Sequence, residues 1–306
     1  MELFTVSIPS AQLKELESLT ELLKCEMGDL HTSSSRVTLD TFQTDKLAGV
    51  TCSGLLPEFQ LHVHGQDVWK RAASAVAEYI LAVKEGVLIR SLIAKEKHVE
   101  DADRNKIEAY CYQLLNGYEE QGSPEVRRRR KSKVTKALQL YLEEHTVLNV
   151  DGFIRFRLES YMTELREVVD YAIDEYVLER QYQEFISLLK YFVYIQDTKI
   201  PMAHLMHKGC HEFTLLDEQW LPIEPSHVVD GMIVEMIDCD MEMEDMIVST
   251  LINVSPGHIV IHTRDPESQV IKTIQQIFEA RVHVCVYCNS CEPCLTNNWK
   301  SQDLVP

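Results

Sequence analysis

The sequence predicts an α+β protein built from a small N-terminal α/β unit, an α-helical middle domain and a small C-terminal α/β unit with a cysteine-rich tail. Two patterns predict it. Near both ends of the chain apolar residues alternate with period two in short runs bounded by Gly, Ser and Pro, as half-buried strands require. Through the middle they recur every three or four positions, as amphipathic helices require. With 306 residues, 45% of them hydrophobic, the chain can bury a sizeable core in two or three folded units.

Taken in order, MELFTVSIP reads as a strand, and the stretch from near Ser10, with Leu13, Leu16, Leu19, Leu22 and Leu23 on one face, reads as a helix. RVTLDTF, LAGVTCSGL and EFQLHVHG follow as alternating segments, so residues 1–65 predict a βαβββ unit. Residues 66–199 are helical in pattern. The stretch from Asp67 to Lys95 is one helix or two joined near Gly86, and a second helix stops at Gly117, where a residue tolerating positive φ is expected. Ser123, Pro124 and Glu125 supply an N-cap, a first-turn proline and a first-turn acid. After Asp151-Gly152, which sets a turn or cap, Phe153, Phe156, Tyr161, Leu165, Val168, Val169, Ala172, Tyr176, Val177 and Leu178 form an aromatic and aliphatic stripe that faces a core or, as the alternative, lines a groove for a partner helix or a ligand. Residues 200–306 give a hairpin (AHLMHKG and HEFTLLDEQWLPI), then a helix, the strand HIVIHT, a second helix and the strand RVHVCVY. A strand, a helix and a strand in that order predict a crossover between parallel neighbours.

The net charge of −18 is concentrated in the last segment, which holds 5 basic against 16 acidic residues. Such a field repels nucleic acid and anionic lipid. No apolar run approaches the roughly 20 residues needed to cross a bilayer, and the N-terminus lacks the pattern of a secretory signal. The expectation is a cytoplasmic protein without membrane insertion, whose nine cysteines are reduced thiols or metal ligands.

The segment Asn149-Val150-Asp151-Gly152-Phe153-Ile154-Arg155-Phe156-Arg157-Leu158, with Tyr161, then Glu179, Tyr182, Glu184-Phe185-Ile186 and Leu188 to Val193, resembles the YtxC family of sporulation proteins of endospore-forming bacteria. The likeness is most specific over residues 145–196. It implies a role connected with sporulation, and no activity, cofactor or site residue.

Two segments could carry chemistry. Arg127, Arg128, Arg129, Arg130, Lys131 and Lys133, with Lys136, put seven positive charges near the start of a helix, where the macrodipole favours anions. The cluster is a partner-binding candidate. Phosphate contacts with nucleic acid are one outlet, and neutralisation by acids of the same molecule is the other. Cys285, Cys288, Cys291 and Cys294, at successive CxxC steps, are candidate ligands for zinc or an iron–sulfur cluster. The spacing strains a single tetrahedral site, since only two residues separate the two pairs. It also departs from the ferredoxin loop, which continues with three residues before its last cysteine. Cys285 lies on the opposite strand face from Val282, Val284 and Val286. His204, His207, Cys210 and His211 resemble a further ligand set, but His204 and His207, three apart in a strand, point to opposite faces and cannot share a metal without a bend, so they read as hairpin polar residues. The acids between Glu235 and Asp245 lack the glycine and spacing of a calcium loop. No catalytic signature is present, so the sequence favours a non-enzymatic protein acting on an unknown protein partner. A metal-binding or redox-linked protein using the cysteine tail is the alternative, and nucleic-acid binding through residues 127–136 a third reading.

Overall fold

The computed structural model describes residues 1–32, 37–116, 124–208, 212–223, 243–288 and 290–291. Gly117, Ser123, Cys210, His211, Cys294 and all but the last residues of the acidic run lie outside the described residues. The chain divides into two compact units, Met1–Leu178 and Glu179–Pro306, where composition and periodicity draw three segments.

In the first unit, β1 (Glu2–Pro9), α1 (Leu13–Thr32), β2 (Val37–Gln43) and β3 (Leu47–Gly54) form as expected. The segment after them does not. Residues 58–65 open α2 (Leu61–Tyr79) instead of forming a strand. The alternation of Phe59, Leu61 and Val63 is misleading because Phe59 alone is buried, while Leu61 and Val63 are exposed. The amide of Gln60 donates to His64 Nδ1 at 3.0 Å, closing the first turn. The fourth strand comes from far along the chain: β4 (Val147–Asn149) pairs parallel to β1, completing the order β2-β3-β1-β4. Gly49 is required in β3, since a Cβ there would collide with the carbonyl of Val6 on β1.

The helices of this unit pack on the same core as the sheet. Phe4, Val6 and Ile8 of β1 meet Leu19, Leu23 and Met27 of α1, and Ala72, Ala75 and Val76 of α2. Small alanines let α2 approach both α1 and α5 (Pro124–Glu144) closely. After α2 the helix widens into a π-helical turn at Ile80–Lys84 and continues as α3 (Glu85–Ile93). Gly86 sits just beyond that turn because a Cβ would collide with the hydroxyl of Tyr112 on α4 (Arg104–Asn116). Asn149 caps α6 (Val150–Arg157), its side-chain oxygen accepting the Gly152 amide at 2.8 Å. Asp151 and Gly152 therefore lie in the first helical turn. The backbone breaks at Leu158 (φ −106, ψ 42) before α7 (Glu159–Ile195). Phe153, Tyr161, Leu165, Val169, Ala172 and Tyr176 are buried while Phe156, Val177 and Leu178 are exposed, against the single stripe expected; at about 100° per residue Val177 and Leu178 turn away from the face that carries Leu165, Val169, Ala172 and Tyr176.

The second unit begins in α7 at Glu179. β5 (Ile200–His207) and β6 (Phe213–Asp217) form the expected hairpin. α8 (Met243–Val254), β7 (Pro256–Thr263), α9 (Gln269–Phe278) and β8 (Val282–Cys285) follow. β7 is parallel to β5 and to β8, which gives the order β6-β5-β7-β8 and the parallel pair across α9 that the sequence predicts. One sheet face packs on the helices: Ala203, Leu205, Leu215, Ile259 and Ile261 join Ile186 and Val193 of α7, Leu251 of α8 and Ile271, Ile274 and Ile277 of α9. His204, Met206, Leu216, His262 and Cys285 stand at alternate strand positions and face the other way.

Candidate metal centre

On that second face, among the described residues, a small cluster packs against the sheet. Met206 and Leu216 pack with Cys291, Trp220, Cys285 and Cys288. Register supplies the chemistry: Cys285, last residue of β8, is paired with His262 of β7. The strand stops there, and the chain turns so that Cys288 and Cys291 come back toward the sheet. The turn is held by the Cys291 amide donating to the Cys288 carbonyl at 3.2 Å, and by the Cys288 amide donating to Cys291 Sγ at 3.2 Å.

One ligand atom from each of His262, Cys285, Cys288 and Cys291 lies within 4.8 Å of all the others. His262 Nδ1 is already 3.8 Å from Cys288 Sγ. Tetrahedral zinc, with bonds of about 2.0 to 2.3 Å, separates its ligand atoms by roughly 3.5 Å, so closure asks the loosest pair to move by about 1 Å. The group could hold a metal ion. His262 is 3% exposed and Cys291 0%, which suits ligands that must be screened from water. Burial, then the neighbouring His204 and His283, push His262 down to about 4, so its imidazole is neutral at neutral pH. Burial raises the thiol of Cys285 and takes Cys291 up to about 11. At Cys288 burial acts in the same upward direction, but hydrogen bonds from Cys291 and Cys285 outweigh it and hold the thiol below its ordinary value.

Three of the four sequence-predicted cysteines are thus brought together, and Cys294 lies outside the described residues. The residue that sequence reasoning missed is His262. A candidate fourth ligand on the adjacent parallel strand avoids the strain expected of four closely spaced cysteines, because it does not come from the same short loop. His204 and His207 do point to opposite faces: His204 Nδ1 is 3.1 Å from His262 Nε2 beside the cluster, and His207 Nδ1 bonds Thr263 Oγ1 at 2.8 Å on the helix side.

The basic run lies on α5 and is largely paired within the chain. Arg127 and Lys131 bind Glu78, Lys133 binds Glu164, and Arg130 is buried against Glu85. These acids come from α2, α3 and α7, elements the sequence placed in the same helical region without showing which faces meet. Arg129, Arg130 and Lys133 border a groove of about 460 Å³ whose other wall carries Glu164 and Glu167. In the second unit a cleft of about 610 Å³ opens among α7, α8 and α9, lined by Tyr182, Phe185, Leu189, Val248 and Ile252 with one charged side chain, Asp245.

The fold and site together define an α+β protein with a group of three cysteines and one histidine on the open face of its C-terminal sheet. The YtxC-like family matches residues 70–283, and the chain belongs to it. The Bacillus subtilis (strain 168) protein described as "Uncharacterized protein YtxC" is 30% identical over 212 residues, covering 68% of this chain and 74% of its own. No solved structure matches. Among the described residues no helix is long and apolar enough to cross a membrane.

Proposed function

We propose that the protein binds one zinc ion through His262, Cys285, Cys288 and Cys291, and that the ion holds the C-terminal unit in shape for a protein partner. The observation that carries the reading is the convergence of four ligand atoms within 4.8 Å. Three thiolates and one imidazole are a soft donor set that suits zinc. So tight a group has room for one ion and not for several irons with their bridging sulfides. Four protein ligands complete a tetrahedron, as in structural zinc sites, whereas catalytic sites keep one position for water. The ion would tie the loop after β8 to β7, on a sheet face that no helix covers among the described residues.

The rest of the reading rests on family resemblance and composition: a non-enzymatic cytoplasmic protein, acting on a protein partner in sporulation. Nucleic acid is the less favoured partner, because most of the α5 cations already have carboxylate partners. Protein purified without oxygen is expected to carry about one zinc per chain, lost in a Cys285→Ser, Cys288→Ser double variant. Less than about 0.2 metal per chain in protein with free, reduced thiols overturns the metal reading, and stoichiometric iron with visible absorbance replaces zinc by a cluster. A deletion strain that forms heat-resistant spores in normal number and time removes the sporulation role.

A further inference from the structure

A histidine can present Nδ1 to a metal only if its proton sits on Nε2, and an unsupported imidazole samples both tautomers and several ring rotations. His262 aims Nδ1 at Cys288 Sγ (3.8 Å) and Nε2 at His204 Nδ1 (3.1 Å). The second contact is buried and joins neighbouring parallel strands, whose register fixes the two Cα positions from which the rings meet.

His204 is itself clamped. The indole of Trp220 stacks on it with centroids 4.5 Å apart and planes 16° from parallel, and also approaches His262 at 5.5 Å. Trp220 has a φ of +64, a conformation unfavourable for a bulky side chain. Asp217 maintains it: Oδ1 accepts the amides of Gln219 (2.8 Å) and Leu221 (2.9 Å), and its carbonyl accepts the amide of Trp220 (3.1 Å). The turn after β6 is thus folded tightly where the Trp220 ring reaches the back of the histidine pair.

We propose that His204, backed by Trp220, is the positioning residue of the metal centre: His262 donates its Nε2–H to His204 Nδ1, which fixes the tautomer with Nδ1 free for the metal. The inference rests on the zinc reading above. In this arrangement His204 carries its own proton on Nε2 and touches no metal. It acts only through His262, as outer partners of metal-bound histidines commonly do.

The test is zinc affinity measured by competition with a chromophoric chelator, in the full chain. His204→Ala is expected to weaken binding by roughly 10- to 100-fold, with the cobalt-substituted spectrum still that of a tetrahedral site of three thiolates and one imidazole. His204→Gln, whose side-chain oxygen can accept the same proton, is expected to recover most of the loss. A role confined to packing would lower the stability of the metal-free protein and leave Gln no better than Ala. If His204→Ala does not fold, 15N spectra of histidine-labelled parent loaded with zinc decide the matter: His262 protonated at Nε2 and metal-bound at Nδ1 supports the proposal, and the reverse overturns it. A parent that binds zinc with His204→Ala within twofold of it overturns this inference alone. A parent that binds no zinc overturns the metal reading and takes the inference with it.

Discussion

Replacing Glu85 with Gln should destabilise the first unit far more than removing the tyrosine that touches the same carboxylate. Glu85 follows the π-helical turn, with its side chain 7% exposed against 8% for Arg130, 3.3 Å away. Tyr161 donates to its other oxygen at 2.6 Å, and Arg130 donates to the Leu115 carbonyl at 2.5 Å. Burial, with the Glu85 charge, pushes the Tyr161 hydroxyl up, so it remains a proton donor at any working pH. Glu85→Gln leaves the Arg130 charge buried without its counter-ion, which costs about 3 kcal/mol or more. Tyr161→Phe removes one hydrogen bond to a charged group, worth about 1.5 kcal/mol. Hydrogen exchange read on α5 peptides isolates this unit from the other. The slowest amides should exchange roughly 100-fold faster in Glu85→Gln and about 10-fold faster in Tyr161→Phe. Replacing the pair together, Glu85→Leu with Arg130→Met, should recover most of the loss, since a buried ion pair and an apolar pair of similar volume are often close in stability. An Arg130 that tolerates Glu85→Gln with less than a fivefold change would refute the claim that the charge is desolvated.

Glu78 lies below its ordinary carboxylate value because of its hydrogen bond to Arg127, against burial and with help from Lys131. Its contribution is therefore present above about pH 4.5 and lost as pH falls through the depressed value. Arg127→Ala should cost stability at pH 7, and that cost should shrink as pH falls through the depressed Glu78 value, as denaturation followed against pH would show; a cost that does not change with pH would mean the arginine acts by packing. Burial takes Cys52 and Cys111 up to about 12, whereas Cys25 is exposed. Iodoacetamide at pH 7.5 should modify Cys25 and spare Cys52 and Cys111 in native protein, and Cys285, Cys288 and Cys291 should gain reactivity only after chelation, as peptide mass mapping would show. Chelation should also speed amide exchange in β8, leaving α2 and α5 unchanged.

The elements that periodicity showed clearly were those whose partners are local. α1, β2, β3, α9 and the β5–β6 hairpin each bury one regular face, and a regular face is what an apolar pattern encodes. β4 was illegible for the opposite reason: three residues carry no period, and what makes Val147–Asn149 a strand is the vacant edge of β1, some 140 residues earlier. Phe59, Leu61 and Val63 alternate by accident, and only the packing of α2 reveals it. Phe156 shows a third kind of failure: at about 100° per residue it falls on the far side from the face of Tyr161, Leu165, Val169 and Tyr176, so its aromatic character suggested a core position that its spacing does not support.

The candidate site divides along the same line. Its three cysteines stand three apart in the chain, so their association was visible at once, and only their geometry was in question. His262 stands 23 residues before Cys285, inside a strand whose alternation of His258, Val260 and His262 looks like ordinary solvent-facing polarity. What selects His262 over His258 is register: it is paired with the last residue of β8, and β8 is its parallel neighbour. Had the pairing slipped by one residue, Cys285 would face the helices and His262 would have no thiol beside it. The sheet register and the candidate metal centre are therefore one specification. Threading a residue into β8, by inserting Ala between His283 and Val284, should abolish zinc binding while all four ligands remain in the chain. Retention of zinc in that variant would show that the loop cysteines and a residue other than His262 suffice.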